Sequence, residues 1–241
     1  MYAPADGENT IHVDTLGAGE GALIVNGQPI GTVRNATDVT VFLSGGVNKV
    51  TVTGRSGRLF LDRLRVQPSA GTLISRWYGA EDATLTGSAT VTAYTLARGG
   101  KAVTGVGGPP GNGNALTFAA TAPAPGIYAL TVRYSNPEQS PASHYNPDPL
   151  ARHADISVNG APPHRVLFPH TFHANNFWTL TLPIRLAAGH NTIRFTAAEP
   201  PDFDGTTYIS DRYPDLDLRS AYASVIDAIA ITPYTARRRR S

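Results

Sequence analysis

"LAAGHNTIRF" at residues 186–195 and "LSGGVNKVTV" at residues 43–52 follow one pattern. Each stretch has an apolar residue, two small residues that include a glycine, an asparagine, and then alternating apolar positions. Alternation over so short a run predicts a β-strand, and the preceding Gly and Asn predict a tight turn. The chain therefore carries two copies of a strand-turn-strand element, which indicates an internal duplication.

Two further matches occur in the same order along the chain. "IVNGQPI" at 24–30 matches "SVNGAPP" at 157–163, and "LFLDRLRVQP" at 59–68 matches "SVIDAIAITP" at 224–233. The order of the three matches strengthens the case for a duplicated module.

The asparagines of the repeats have a local explanation. Asn-Gly accepts the positive φ angles of a two-residue hairpin turn, so we predict such turns at 26–27 and 159–160. Asn48 and Asn191 are expected to clamp the next turn through their side chains rather than to bind a ligand.

The composition favours many short strands joined by turns. Of the 241 residues, 41% are hydrophobic and only 16% are charged, with 24 Gly and 19 Pro. No segment keeps a helical period for three turns, whereas five segments alternate apolar and polar residues: 88–96, 114–120, 126–134, 177–186 and 191–197. The predicted fold class is all-β, a jelly-roll β-sandwich of antiparallel strands, with a partial second β-sandwich unit at the N-terminus.

The two copies differ in length. Ahead of Asn159 lie about ninety residues of strand-like sequence, whereas ahead of Asn26 there is almost nothing. "QPSAGT" at 67–72 interrupts the strand pattern. We therefore predict that 1–68 is the C-terminal half of one module, that 73–234 is a whole module, and that 235–241 is a disordered Arg-rich tail.

Charge and hydropathy restrict the partners. The net charge of +2 depends on the four arginines at 237–240, so we expect no nucleic-acid partner. Zero cysteines excludes disulfides and thiolate metal sites. No run approaches the ~20 apolar residues that cross a bilayer, so we expect no membrane partner. The first residues lack the features of a signal peptide, which leaves an internal protein or a piece of a longer secreted chain.

The second unit resembles the carbohydrate-binding modules of families 35 and 6, jelly-roll sandwiches appended to enzymes that act on polysaccharides. The segments that carry the resemblance are, in order, "WYGAEDATLTGSATV" (77–91), "ARGGKAVTGVG" (97–107), "PGIYALTVRYSN" (125–136), "VNG" (158–160), the tryptophan followed by "LAAGHNTIRF", and "VIDAIAI" (225–231). The resemblance covers about 73–233 and, more weakly, 20–68.

The resemblance implies a structural calcium ion. In the family, two glutamates of the first strand and the aspartate of the last strand hold it, with nearby backbone carbonyls. Glu81 and Asp227 match two of these ligands, but Gly79 stands in the place of the other glutamate. The alternative is that Glu81 and Asp227 bond neighbouring backbone groups and Lys101. Asp62 repeats Asp227 in the first unit without a partner strand, so no metal is expected there.

The resemblance also implies a sugar site of aromatic rings, with an asparagine just before the last-strand aspartate. Trp178 lies near a family tryptophan, and it is either core packing or a sugar platform. Ser224 and Val225 stand where the asparagine would be. Either the ligand set has changed or sugar binding has been lost.

Two insertions, at 136–153 and 199–222, have no counterpart in the first unit and are rich in Tyr, Asp, Asn and His. Long loops in compact domains are commonly functional, the alternative being solvated loops. We predict that one loop-built cleft gathers the sugar ligands Trp178, Tyr145, Asn146, Tyr208, Asp211 and Tyr213.

Other chemistry is less well supported. No feature pairs two carboxylates across a cleft, as glycoside hydrolysis requires. His170-x-x-His173 has a spacing that could reach one metal ion, but turn and surface positions are the better explanation.

The sequence favours a non-catalytic module that binds a polysaccharide or oligosaccharide and targets a secreted enzyme to its glycan, with a catalytic domain upstream in a longer chain. The expected location is therefore extracellular. A ligand-free structural spacer and a glycoside-active enzyme remain as alternatives.

Overall fold

The structure, a computed structural model, describes residues 1–138, 152–198 and 222–235. The described residues form strands and one short 3-10 helix, Ala80–Asp82, without any α-helix. The predicted all-β class is confirmed. The strands are β1 (Tyr2–Ala3), β2 (Gly7–Leu16), β3 (Glu20–Val25), β4 (Gln28–Val33), β5 (Ala36–Leu43), β6 (Gly46–Val47), β7 (Val50–Ser56), β8 (Phe60–Pro68), β9 (Arg76–Gly79), β10 (Thr84–Thr86), β11 (Thr90–Ala93), β12 (Lys101–Thr104), β13 (Ala115–Ala122), β14 (Gly126–Ser135), β15 (Arg152–Val158), β16 (His164–Phe168), β17 (Trp178–Leu186), β18 (Gly189–Thr196) and β19 (Val225–Pro233).

The chain divides into two compact units. Of the described residues, the first unit comprises 1–76 with the short segments 126–129 and 231–235, and the second comprises 77–125, 130–138, 152–198 and 222–230.

The first unit contains two three-stranded antiparallel sheets, ordered β5-β2-β8 and β4-β3-β7. In β2, Ile11 is opposite Val39 on one side and Val66 on the other, so apolar residues share one face of the sheet. Side chains of both sheets form one buried cluster, which includes Ile11, Leu23 and Phe42.

The second unit contains the larger sheets. One has the order β10-β13-β18-β15-β16, and the other has the order β11-β12-β19-β14-β17 with β9 also pairing with β19. Aromatic pairs lie in its core: the ring centroids of Phe118 and Phe195 are 5.7 Å apart, and those of Tyr134 and Phe168 are 4.8 Å apart. Burial raises the pKa of Tyr134 to about 12.

The strand order repeats between the units. The orders β5-β2-β8 and β4-β3-β7 match β17-β14-β19 and β16-β15-β18. The first unit thus repeats the six later strands of the second and includes a strand equivalent to β14. The expectation of almost nothing ahead of Asn26 is therefore wrong, because β2 and all of β3 lie there. Glu8, His12 and Asp14 occupy the partly exposed positions of β2, which hid its relation to the apolar β14.

The predicted hairpin turns are confirmed. Asn26 and Gly27 have φ angles of 50° and 78°, and Asn159 and Gly160 have 52° and 74°. Both pairs adopt the left-handed backbone of the two-residue turn that Asn-Gly favours.

The predicted turn clamps are also confirmed. The Asn48 side chain accepts the Ser44 N–H (3.2 Å) and donates to the Ser44 carbonyl (2.7 Å). The Asn191 side chain accepts the Ala187 N–H (2.8 Å) and donates to the Ala187 carbonyl (3.0 Å). In each copy the turn asparagine donates its amide to the clamp, from Asn26 to Asn48 and from Asn159 to Asn191, at 2.8 Å in both.

Candidate functional site

A loop between β16 and β17 is fixed by buried polar groups. The Asn136 N–H donates to the Thr171 hydroxyl (3.0 Å), and the Thr171 N–H donates to the Asn136 carbonyl (2.8 Å). The Asn136 amide also donates to the Phe168 carbonyl (3.1 Å). Asn136 and Thr171 are fully buried. Because these groups are withdrawn from water, their hydrogen bonds fix the loop strongly in place.

This loop presents an aromatic ring to solvent. Phe172 follows the buried Thr171, has a φ angle of 69°, and is 73% exposed. A left-handed backbone is uncommon for a residue with a Cβ and costs about 1–3 kcal/mol, so the fold retains it only where the surroundings enforce it.

Trp178, at the start of β17, lies beside Phe172. The two ring centroids are 6.1 Å apart with an interplanar angle of 57°, and Trp178 is 40% exposed. The ring of His170 meets that of Phe172 edge to face, with the centroids 5.1 Å apart. We call Phe172 and Trp178 the aromatic platform.

A second aromatic group includes Phe177, the last residue of the same loop. Tyr94 and Phe177 meet edge to face at 5.8 Å, and the Arg133 guanidinium lies 4.7 Å from the Phe177 ring centroid. Burial raises the pKa of the Tyr94 phenol, opposed by Arg152. The Leu96 N–H donates to the Asn175 side chain (3.2 Å), which ties the segment after β11 to this loop.

Of the predicted sugar ligands, the structure describes one. Trp178 is partly exposed at the platform. Tyr145, Asn146, Tyr208, Asp211 and Tyr213 lie outside the described residues, so their grouping with Trp178 stays a prediction.

Phe172 was missed by the sequence analysis. The only signal for it was its place between two histidines and just before "HANNF", within a stretch without alternation. Its positive φ angle and the exposure of its ring could not be inferred from the residue type.

The two histidines of the His-x-x-His pair have turn roles. His170 Nδ1 accepts the Phe172 N–H (3.2 Å), and His173 Nδ1 accepts the Asn175 N–H (3.1 Å). Within 1–138, 152–198 and 222–235, no group of three or more His, Asp or Glu side chains is arranged to hold a metal ion.

Ser224 and Val225, which stand where the family has its asparagine, are buried. The Ser224 hydroxyl has no hydrogen-bond partner among the described residues. Val225 packs with Ala97 and Ala102 and near Tyr94.

The predicted calcium ligands have different environments. Glu81 folds its carboxylate over Gly79 and Gly99, where a Cβ on either glycine would clash with it, and its buried Oε2 has no partner among the described residues. Asp227 is fully buried, accepts the Arg98 N–H, and pairs with Arg133. The oxygen of Glu81 would suit a cation, but Asp227 is already neutralised. As arranged, the two carboxylates do not fit a shared calcium ion.

Two neighbouring exposed rings, one on the loop and one at the start of β17, suit a flat, apolar ligand face, which a pyranose ring offers through its axial C–H bonds. The described part of the chain contains no helix long and apolar enough to cross a membrane. The fold and the platform define a β-sandwich module that exposes two neighbouring aromatic rings.

Comparison with solved structures agrees with this class. A family 35 carbohydrate-binding module from Clostridium thermocellum matches with 33% sequence identity and a TM-score of 0.50, over 65% of this chain and 97% of that one. The chain therefore belongs to the family 35 carbohydrate-binding modules.

Two enzymes are also similar in part. An exo-β-1,3-galactanase from Phanerochaete chrysosporium is 18% identical, with a TM-score of 0.47, over 81% of this chain and 37% of that one. A GH26-CBM35 β-(1,4)-mannanase from Podospora anserina is 23% identical, with a TM-score of 0.45, over 69% of this chain and 29% of that one. The comparisons with sequence models of families and with curated proteins gave no match.

Proposed function

We propose that this module binds a polysaccharide or oligosaccharide through the aromatic platform. The observation that carries the proposal is the adjacency of Phe172, exposed on a left-handed backbone, to the exposed Trp178. Strained residues that are held in place by buried bonds concentrate at binding sites. Two tilted rings can contact one or two sugar rings of a chain, while hydroxyl groups need amides and carboxylates beside them.

The two insertions would supply those polar groups. In this proposal Asn146 and Asp211 contact sugar hydroxyls, and Tyr145, Tyr208 and Tyr213 extend the stacking surface beyond Trp178. The support is the residue types of both insertions and the start of the first one at Asn136, which is bonded to Thr171 next to Phe172.

We further propose that the chain does not catalyse a reaction itself and serves a secreted, polysaccharide-active enzyme whose catalytic domain lies upstream in a longer chain. The support is family membership, because modules of this family are appended to such enzymes. Turnover of a polysaccharide by the purified chain would contradict this part of the proposal.

The binding test begins with an array of plant, algal and microbial glycans probed with the intact protein. A glycan that binds is then titrated against Trp178→Ala and Phe172→Ala. Each variant should bind at least about tenfold more weakly, which corresponds to about 1.4 kcal/mol.

Phe60→Ala is the matched control, because Phe60 is a comparably exposed aromatic residue of the first unit. It should leave the affinity unchanged. Equal affinity of the wild type and both platform variants would place the site elsewhere, and an array without binding would favour a structural spacer.

A further inference from the structure

The aspartate predicted as a calcium ligand already has hydrogen-bond donors and a positively charged partner. Asp227 in β19 is inaccessible to solvent, and both of its carboxylate oxygens accept the Arg98 N–H, at 3.0 and 3.1 Å. Its Oδ2 also pairs with the guanidinium of Arg133 in the neighbouring strand β14. Burying a carboxylate is costly unless a cation and hydrogen bonds compensate for the lost water, and here both are present.

The guanidinium is held on three sides. Arg133 contacts Asp227 through Nη1, donates from Nη2 to the Leu96 carbonyl (3.1 Å), and stacks on the Phe177 ring. The side chain is only 24% exposed. A planar guanidinium suits this arrangement, because it can pair with a carboxylate, donate to a carbonyl and stack on a ring at the same time.

Glu81 takes no part in this network. Its carboxylate lies against Gly79 and Gly99, and its buried Oε2 has no hydrogen-bond partner among the described residues. A calcium ion requires six to eight oxygen ligands, and a family glutamate is replaced by Gly79. An ion shared with Asp227 would also have to displace Arg133 and would meet its positive charge.

We propose that Arg133 takes the place of the structural calcium ion at Asp227, so that an internal ion pair, rather than a metal, ties the last strand to the segment 96–98. The module then folds to full stability without calcium. The calcium ion predicted from the family pattern is the competing hypothesis.

The first experiment uses the unmodified protein. Thermal unfolding is followed after EDTA treatment and again with millimolar calcium. The midpoints should agree within about 1 °C, because a ligand that does not bind the native state cannot stabilise it. A midpoint several degrees higher with calcium, reversed by EDTA, would overturn the proposal.

The second experiment tests the ion pair by a double-mutant cycle of Arg133→Met, Asp227→Asn and both together. Arg133→Met should lower the midpoint by several degrees, since it leaves a buried carboxylate without its cation. Adding Asp227→Asn should recover at least about half of that loss, because the unpaired charge is gone. Strictly additive losses would contradict the proposal.

Arg165→Met is the matched control. Arg165 pairs with Asp155 in the same unit at 2.8 Å, but its side chain is about half exposed, so its loss should change the midpoint little. Should Arg133→Met not fold, Arg133→Lys replaces it in the cycle, and the calcium titration of the wild type decides independently.

Discussion

Phe172 combines two features that a purely structural loop residue rarely has, a left-handed backbone and a ring exposed to water. Its neighbour Thr171 is buried and bonded to Asn136, and the Phe172 N–H donates to His170 Nδ1, so the backbone is held on both sides of the residue's own ring. Phe172 itself contributes the ring. Stability and binding therefore impose different requirements at one position.

Comparing Phe172→Gly with Phe172→Ala separates these requirements. Both variants lose the ring, so both should lose sugar binding to the same extent. Glycine adopts a φ angle near 69° without strain. The free energy of unfolding of Phe172→Gly should therefore be about 1 kcal/mol higher than that of Phe172→Ala. Urea denaturation measures the difference. An alanine variant as stable as the glycine variant would show that the backbone is not strained.

His153 is a second residue whose environment has a measurable consequence. It is buried in β15, and its Nε2 has no hydrogen-bond partner among the described residues. Burial and Arg165 lower its pKa below the ordinary value of 6.5, while Asp155 opposes the shift. The unfolded chain therefore binds a proton more readily than the folded chain does.

Stability should consequently fall as the pH drops below about 6.5, because the unfolded state gains protons first. His153→Gln should flatten this slope below about pH 6.5. Denaturation at three pH values measures it, with the exposed His190→Gln as the control. A slope that persists in His153→Gln would have to come from another group.

At the scale of elements, the two asparagine clamps explain why the same turn sequence occurs in both units. Asn48 closes the turn between β5 and β7, and Asn191 closes the turn between β17 and β18, in each case while bonded to the hairpin asparagine of a neighbouring strand pair. One buried amide thereby joins two turns that are distant in sequence.

Asn191→Ala should destabilise the protein by about 2 kcal/mol or more, because it leaves buried N–H and carbonyl groups without partners. Asn48→Ala should have a similar effect on the first unit. Asn35→Ala provides a comparison, since Asn35 also has a positive φ angle but is exposed. Hydrogen exchange locates the loosened turn in each variant. A loss of amide protection in Asn35→Ala, without any loss in Asn48→Ala or Asn191→Ala, would contradict the role of the clamps.

At the scale of the whole molecule, the first unit repeats six strands of the second and completes its core with segments from late in the chain. Ala129 and Tyr234 belong to its buried cluster. The Phe42 N–H donates to the Tyr234 carbonyl (2.9 Å), and the two rings meet edge to face at 6.0 Å. We therefore predict that residues 1–68 are needed to cover these two late segments.

Expression of residues 70–241 alone tests this prediction. The shortened chain should be less soluble and less stable, because it leaves Tyr234 and its neighbours uncovered and exposes apolar side chains. Removal of 236–241 is the control and should change neither property. A 70–241 protein as stable and soluble as the full chain would show that the first unit packs independently.

The sequence by itself determined the all-β class, the duplication, the hairpin turns and the asparagine clamps. These features depend on local chemistry: alternation specifies a strand, Asn-Gly tolerates positive φ angles, and an asparagine side chain bonds its own turn. Family membership followed from the order of several such segments, and the match to a solved module confirmed it.

Only the tertiary structure revealed the Phe172–Trp178 platform, the Arg133–Asp227 pair and the strand β2 of the first unit. Each depends on residues that are distant in sequence. Thr171, next to Phe172, is bonded to Asn136, 35 positions earlier, and the cation beside Asp227 comes from β14, 94 positions earlier. Local patterns cannot specify such neighbours, because chain folding chooses which strands pair and thus which charges and rings meet.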